Sequence, residues 1–333
     1  MHVLQPAIAR SPNAAWPSPA RAQRSTLRAV ERARLSPFGL VLLVLVTIAW
    51  GLSWAAIKIV LAEVPPLTFR AICLVAGGSG LLALARLAGQ SLHVPAHAWG
   101  RLLVIAACNI VGWNTFKIYG IAHLPSGRAA LIGYTMPMWS TLFSVWLLGE
   151  RLTVRRGASL VIGMAGVAVL VAADAADMAS AITGVVLMLA SAVSWGLSVV
   201  LLKRFALPTP TACLTGWMML AGSVPIVAGA VILEHDRWHP VTATVGLGLS
   251  YSVLIAFMFG YWAWNRVVLM VPVTVSSVSI LAVPVISLLS GAWLLHEPLT
   301  WRELVAGACI LGAIALVLGS PARPARETLR PLR

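Results

Sequence analysis

Long apolar runs, separated by short polar or proline-containing stretches, fill the chain from residue 39 to residue 319. Each run holds about 20 residues, enough for a helix rising ~1.5 Å per residue to cross ~30 Å of hydrocarbon. Prolines stand at or before the first turn of several runs, where the missing N–H removes no helical hydrogen bond. Ten membrane-spanning helices are predicted, at 39–61, 66–86, 100–121, 126–148, 155–173, 182–204, 211–233, 243–265, 272–295 and 302–319.

One unit of this pattern occurs twice. Residues 50–58 recur at 195–203, 145 residues later, with Trp, Gly, Leu, Ser and Lys at equivalent positions. Residues 137–153 recur at 284–300, 147 residues later, with Pro, Trp, Leu, Glu, Leu and Thr conserved between the copies. A fixed internal period indicates two copies of one structural unit, which here holds five predicted helices.

The composition places the chain in a lipid bilayer. Hydrophobic residues make up 59% and charged residues only 10%, whereas an ordinary soluble domain is roughly 25% charged. The net charge of +14 does not indicate a nucleic-acid partner, because the basic residues are scattered among apolar runs and tails. The four cysteines lie inside apolar runs without disulfide or zinc spacing. An all-α membrane protein is predicted.

Lys and Arg are unevenly distributed between the two ends of the predicted helices. With a cytoplasmic amino terminus, 18 of the 24 fall in cytoplasmic segments, and only Arg128, Arg237 and Arg302 fall outside. Cytoplasmic loops are enriched in these residues, so both termini are predicted to be cytoplasmic. Residues 1–38 are predicted to be a disordered basic tail, with a transit peptide as the alternative.

An odd number of helices in each half has a topological consequence. The second half must enter the membrane upside down relative to the first. Secondary transporters built from such inverted repeats hold their substrate near the middle of the bilayer, between the halves. A structural bundle that arose by gene duplication and transports nothing is the alternative.

The motifs of the two halves resemble one known family. Each half has Trp-Gly followed by Lys in its first helix, and a proline before its fourth. Pro137 precedes Leu-Leu-Gly-Glu at 147–150, and Pro284 precedes Leu-Leu-His-Glu at 294–297. This combination resembles the ten-helix EamA-type members of the drug/metabolite transporter superfamily. His296 in place of Gly149, and the lack of a counterpart to Arg70 in the second half, depart from strict repetition.

The resemblance implies two inverted five-helix EamA repeats and a metabolite carrier in the inner (plasma) membrane. The units expected on this basis are the amino-terminal tail at 1–38, EamA repeats at 39–173 and 182–320, and a basic cytoplasmic tail at 321–333.

Basic and aromatic residues within the predicted spans are candidates for the substrate site. A charge at the bilayer centre costs about 2.5–3.5 kcal/mol on insertion scales, so Lys58 and Arg70 are candidates, with snorkelling to the membrane surface as the alternative. For Lys117 the sequence favours snorkelling. Tryptophans near the middle of two helices, with serines on the same faces, predict two aromatic walls, with helix packing as the alternative. The substrate-binding residues predicted are Trp50, Ser53, Trp54, Lys58, Arg70, Asn114, Tyr134, Trp195, Ser198 and Tyr261.

Two prolines near the centres of the fourth and ninth predicted helices, Pro137 and Pro284, are expected to bend those helices. They are predicted to act as hinges; a static kink is the alternative. No catalytic constellation, metal-ligand spacing or phosphate-binding loop is found in the sequence, so neither an enzyme nor a cofactor or metal is expected. All ten acids fall in tails, loops or helix ends, which disfavours proton-coupled exchange of cations.

The function expected is export of small organic metabolites by alternating access, and the direction comes from the resemblance. Amino acids, aromatic ones among them, or related zwitterionic and anionic compounds are the leading substrates. A nucleotide-sugar or phosphorylated-metabolite antiporter is the first alternative. A non-transporting scaffold or an intramembrane enzyme is the second. The expected partners are the small-molecule substrate and the lipid bilayer, and a homodimer is left open.

Overall fold

The computed structural model describes residues 37–149, 153–171, 178–205, 207, 209–270 and 273–318. All regular elements in these ranges are helices. The tails predicted at 1–38 and 321–333 lie outside the described residues, apart from residues 37 and 38.

The first half of the chain forms six longer helical segments, and a 3₁₀ helix at Ala96–Ala98 leads into the third of them. The third, α3, runs continuously over 99–123 as Trp99–Ala106, a π-helical stretch at Ala107–Gly112, and Trp113–His123. The others are α1 (Pro37–Leu61), α2 (Pro66–Leu87), α4 (Ser126–Gly133), α5 (Met136–Leu148) and α6 (Val154–Val171).

The second half repeats this order with small differences. Its third helix, α9, runs over 243–270 as Ala243–Ser250, a π-helical stretch at Tyr251–Phe259, and Gly260–Met270. The others are α7 (Met178–Phe205), α8 (Thr211–Glu234), α10 (Val273–Leu294) and α11 (Trp301–Leu318).

Each predicted span overlaps helical residues, and seven of the described segments are long and apolar enough to cross a membrane. Two shorter apolar helices, Gly157–Leu170 and Ala282–Leu294, accompany them. The prediction of an all-helical membrane fold is therefore confirmed for the described residues, and the number of ten spanning helices stays a prediction. The seven are Pro37–Leu61, Pro66–Leu87, Ala96–His123, Ser126–Leu148, Ser180–Phe205, Thr211–Arg237 and Ala243–Trp264.

The fourth predicted helix is interrupted beside Pro137, which corrects the expectation that Pro137 lies inside a continuous helix; its role as a hinge stays a prediction. The helix ends at Gly133, passes through Tyr134 and Thr135, and restarts with Pro137 in the first turn of α5. A proline is well tolerated there, because that N–H has no helical partner. The Thr135 hydroxyl donates to the carbonyl of Ile132 at 2.7 Å. In α10, by contrast, Pro284 lies inside a continuous helix, as predicted.

The two repeats pack mainly against each other. The most extensive contacts pair α2 with α8, α6 with α11, α3 with α7, and α1 with α10. The two glycines of the Trp-Gly motif permit this approach. A Cβ at Gly51 would collide with Ile286 of α10, and one at Gly196 would lie 2.8 Å from the backbone nitrogen of Ser140 in α5. The repeats are therefore interleaved and share one core.

The π-helical stretches occupy equivalent positions in the third helix of each repeat, and both bind the first helix of the other repeat. The Trp50 indole N–H donates to the Ala256 carbonyl at 3.0 Å. The Ser194 hydroxyl donates to the Cys108 carbonyl at 2.8 Å. Stretches of this kind frequently mark functional sites.

Equivalent left-handed residues follow α5 in the first repeat and α10 in the second. Gly149 has φ 67° and His296 has φ 53°. The amides of Leu295 and Glu297 both donate to the carbonyl of Gly291, at 3.0 and 3.2 Å. The backbone turn of the repeat is therefore kept at His296 although the glycine is not.

Candidate functional site

A cavity of about 100 Å³ lies between the two repeats. Its walls come from α1, α2, α3 and the break between α4 and α5 in the first repeat, and from α7 and α9 in the second. Eight of the ten predicted substrate-binding residues line it, and their role in binding substrate stays a prediction. They are Trp50, Ser53, Trp54, Arg70, Asn114, Tyr134, Trp195 and Tyr261.

Arg70 has an unusual environment for a guanidinium group. It is 2% exposed, and its Nε and Nη2 atoms are buried with no hydrogen-bond partner among the residues that the structure describes. Aromatic rings lie beside it, with the ring centroids of Phe69 and Phe257 at 4.9 and 5.7 Å from Cζ. A buried donor without an acceptor is costly, so the arrangement favours a ligand that supplies oxygen acceptors at this point.

A second cation, Lys117, faces the same cavity. It is 9% exposed and makes no hydrogen bond or ion pair with any described residue. Its ammonium lies 4.1 Å from the ring centroid of Trp54 and 5.1 Å from that of Trp113, within the range of cation–π attraction. The sequence favoured snorkelling for Lys117, and the structure places it inside the bundle instead.

Aromatic side chains surround the two cations. Trp113 and Trp195 pack with their centroids 4.9 Å apart, and Trp54 and Tyr134 at 6.1 Å. The N–H of Trp50 is already engaged with Ala256, so this side chain offers the cavity its ring. The cavity therefore combines positive charge with flat apolar surfaces.

The sequence missed several lining residues besides Lys117. Trp113 and Met136 stand in the same segments as predicted residues, but nothing in the sequence sets them apart from packing residues. Ser252 and Phe257 lie in the π-helical stretch of α9, which the sequence gives no sign of.

Ser198 does not line the central cavity, and its predicted role in binding substrate stays a prediction. It is fully buried, donates to the carbonyl of Trp195 at 2.7 Å and accepts from the amide of Asn109 at 2.8 Å. Its face of α7 is turned toward α3. Ser53, at the equivalent position of α1, does line the cavity, so the two halves are not equal at this site.

Lys58 also lies elsewhere. Its ammonium donates to the carbonyls of Ile121 and Leu124 at 3.2 and 2.5 Å, at the carboxyl end of α3. Together with Glu297 it lines a separate, more open pocket of about 430 Å³. Lys58 is therefore a helix-end residue in this structure, and only Arg70 of the two predicted cations reaches the central cavity.

The acidic residues that the structure describes lie at helix ends, and none of them lines the central cavity. Three of them bind the amino terminus of a helix in the opposite repeat. Glu234 accepts from the amides of Leu67 and Thr68 at 3.0 and 2.7 Å. Glu297 accepts from the amide of Ser126 at 2.8 Å.

The third such carboxylate is Glu63, which accepts from the amide and the hydroxyl of Thr242 at 2.7 and 2.8 Å. These two donors hold the pKa of Glu63 below its usual range. The carboxylate of Glu303 pairs with the guanidinium of Arg128 at 2.5 Å. All these contacts lie at the end of the bundle that the charge pattern predicts to be outside, and they join the repeats there.

No group of three or more His, Cys, Asp or Glu that could hold a metal ion is found among the residues that the structure describes.

Comparison with known proteins identifies the family. The model of the EamA-like transporter family matches residues 37–172 and again 182–319. The chain belongs to the EamA-like transporter family. The two matches coincide with the two helical halves, so the internal repeat is a pair of EamA units.

Relatives of this EamA chain are transporters by name. An uncharacterized transporter, YvbV, of Bacillus subtilis is 30% identical and aligns over 83% of this chain and 90% of its own length. A probable amino-acid metabolite efflux pump of Salmonella typhimurium is 27% identical over 82% and 92%. An uncharacterized inner membrane transporter, YedA, of Escherichia coli is 26% identical over 86% and 92%.

A solved crystal structure supports the same fold. That protein is 25% identical, and it superposes with a TM-score of 0.62 over 84% of this EamA chain and 95% of its own. The family, the names of the relatives and the apolar helices together establish a membrane transporter of the EamA family.

Proposed function

We propose that this EamA transporter exports small organic metabolites that carry a carboxylate, with amino acids as the leading class. The single observation that carries the proposal is the central cavity, where the unpartnered nitrogens of Arg70 lie near Lys117 and no described acid competes for them. The Salmonella relative named as a probable amino-acid metabolite efflux pump supports the same class and direction.

In this proposal the protein spans an inner membrane ten times, with both termini in the cytoplasm. The two five-helix halves cross in opposite senses, and the cavity lies where they meet. Support comes from the excess of Lys and Arg at one end of the helices, the odd number of helices in each repeat, and the inner-membrane relative of E. coli.

Different residues of the cavity bind different parts of the substrate. Arg70 donates to the substrate carboxylate through Nε and Nη2, and Lys117 adds a second positive charge. The rings of Trp50, Trp54 and Trp195 hold the remainder of the substrate by stacking and apolar contact. Transport follows when the halves rock about the bound substrate, with the α4–α5 break and Pro284 as the points that bend.

Efflux from proteoliposomes tests this function. Saturable efflux of amino acids or related organic acids is expected, and Arg70→Met is expected to lower it about tenfold to a hundredfold, since a hydrogen bond to a charged group contributes roughly 1.5–3 kcal/mol. Arg86→Met, at an exposed position in the last turn of α2, is the matched control and leaves the flux unchanged.

Thermal unfolding separates a binding role of Arg70 from a structural one. The apparent Tm of Arg70→Met is expected to stay level or rise, because the substitution removes a buried unpaired charge. Absence of saturable efflux for every amino acid and organic acid tried would refute the proposed function. The panel includes sugar phosphates, because two cations would also suit a phosphorylated metabolite.

A further inference from the structure

The charges facing the central cavity are unbalanced. Arg70 and Lys117 are both directed into it, and none of the described lining residues is an acid. The titratable groups beside them are the phenols of Tyr134 and Tyr261 and the buried thiol of Cys73, which are neutral in their ordinary protonated forms. A bound substrate would therefore meet two positive charges and no negative charge from the described lining residues. A substrate with net negative charge is favoured.

A zwitterionic amino acid fits this balance poorly. Its ammonium group is two bonds from its carboxylate, so a carboxylate held by Arg70 keeps the ammonium close to the protein's own cations. The nearby polar acceptors are neutral. The amide nitrogen of Asn114 donates to the carbonyl of Ile110 at 2.9 Å, so its side-chain oxygen is the atom that can serve as an acceptor, and Ser53 can accept while it donates to the carbonyl of Trp50 at 2.7 Å.

Neutral acceptors of this kind suit a hydroxyl group, which donates one hydrogen bond and adds no charge. A compound with a carboxylate and a hydroxyl or carbonyl at the next carbon would match both the cations and the neutral acceptors of the site. The carboxylate would meet the cations, and the second polar group would meet Asn114 or Ser53. The aromatic rings would cover the rest of the molecule.

From this juxtaposition of two cations, neutral acceptors and aromatic rings we infer that the transporter carries net-anionic 2-hydroxy or 2-oxo acids in preference to the corresponding amino acids, and that the membrane potential drives their export. The inference rests on the proposed function: it keeps export of a carboxylate-bearing metabolite through the central cavity, and it replaces amino acids by hydroxy and oxo acids as the leading class. Over a full cycle the charges of the protein return to their starting positions, so the charge moved is that of the substrate. An anion leaving a cytoplasm at negative potential moves downhill without a coupled proton.

Matched pairs of substrates test the inference on the full-length protein in proteoliposomes. Each amino acid is compared with the 2-hydroxy acid of the same carbon skeleton: phenylalanine with 3-phenyllactate, leucine with 2-hydroxyisocaproate, and aspartate with malate. Protein-free vesicles correct for passive leakage. Potassium gradients with valinomycin set the interior negative, zero or positive.

We expect saturable efflux of each hydroxy acid to exceed that of its amino-acid partner by about tenfold or more at zero potential, because one like-charge contact is removed. An inside-negative potential speeds efflux of the hydroxy acids and an inside-positive potential slows it. Efflux of phenylalanine and leucine responds to neither.

The outcomes separate this inference from the proposed function. Saturable efflux of amino acids that equals or exceeds that of their hydroxy partners, or hydroxy-acid efflux that ignores the potential, overturns the inference and leaves the proposed function standing. If neither member of any pair moves saturably, both fail.

Variants of Lys117 test independently whether its positive charge sets the preference for hydroxy acids. Lys117→Gln is expected to reduce the preference for hydroxy acid over amino acid severalfold, whereas Lys117→Arg keeps it. Arg86→Gln, an exposed residue at the end of α2, is the control. The ratio of the two efflux rates, measured on one preparation of proteoliposomes, does not depend on how much of the protein is folded. An unchanged ratio in Lys117→Gln contradicts the assignment of Lys117 to the site.

Discussion

His296 shows how a single residue can keep a backbone shape that its side chain opposes. It adopts φ 53°, and the equivalent position in the first repeat is Gly149 at φ 67°. In this region Cβ crowds the following carbonyl oxygen, which costs a residue other than glycine roughly 1–2 kcal/mol. The second repeat is therefore strained at a point where the first is relaxed.

His296→Gly is expected to stabilise the protein by about 1 kcal/mol, because removal of Cβ relieves the strain and outweighs the added freedom of the unfolded chain. Thermal unfolding of the purified protein in detergent measures the change. The reciprocal substitution, Gly149→Ala, introduces the same strain in the first repeat and is expected to lower stability. A lower Tm for His296→Gly would contradict this account.

At the site, the sequence predicted which types of residue line the cavity better than it predicted which way each side chain points. Arg70 was identified because a charge within a span is costly, and Trp195 because an indole is unusual in the middle of a span. Lys58 and Lys117 have similar positions near helix ends in the sequence, yet Lys58 binds the end of α3 and Lys117 faces the cavity. The rotation of each helix about its own axis determines whether a lysine faces the cavity or a helix end. That rotation is set by the packing partners of the helix, which a single sequence does not reveal.

At the scale of helices, boundaries were predicted to within a few residues because prolines and apolar runs mark them locally. The break at Tyr134 and Thr135 was not predicted, although Pro137 pointed to that region. The π-helical stretches in α3 and α9 were not predicted either. They are accompanied by contacts with the opposite repeat, such as that between Trp50 and Ala256, and no local signal announces such contacts.

Gly196→Ala is expected to destabilise the protein by roughly 1–3 kcal/mol, because the added methyl group meets backbone atoms of Ser140 and Met136 that cannot move aside. Gly246→Ala in α9 is the matched control. A Cβ added at Gly246 would meet no atom within 4 Å, so this variant is expected to stabilise the protein by up to about 1 kcal/mol through helix propensity. Equal Tm changes in the two variants would argue against close packing of α7 on α5.

For the whole molecule, the repeat and its resemblance to a known family correctly predicted a helical membrane protein of two EamA units, and the ten inverted spans stay a prediction. They did not predict how far the repeats interleave, because apolar faces are equally suited to partners in either half. The described contacts are extensive between α2 and α8 and between α6 and α11. Each of these pairs joins one repeat to the other.

If the two repeats cross the membrane in opposite senses, as proposed, equivalent loops have opposite accessibility. A cysteine placed at Gln90, between α2 and α3, is expected to be protected from a membrane-impermeant maleimide added to intact cells. A cysteine at Asp236, between α8 and α9, is expected to react. Both are introduced into a variant without the four native cysteines, and permeabilised cells control for reactivity. Labelling of both sites from outside would refute the inverted topology.

The interleaved packing also bears on expression of the protein as separate pieces. A fragment ending after α6 would expose to lipid the faces of α2, α3 and α6 that α8, α7 and α11 cover in the intact chain. Such a fragment is expected to be degraded when made alone and to be rescued when the complementary fragment is made in the same cell. By the same reasoning, a single-unit ancestor of this chain would have had to assemble as a pair before gene fusion joined the two copies.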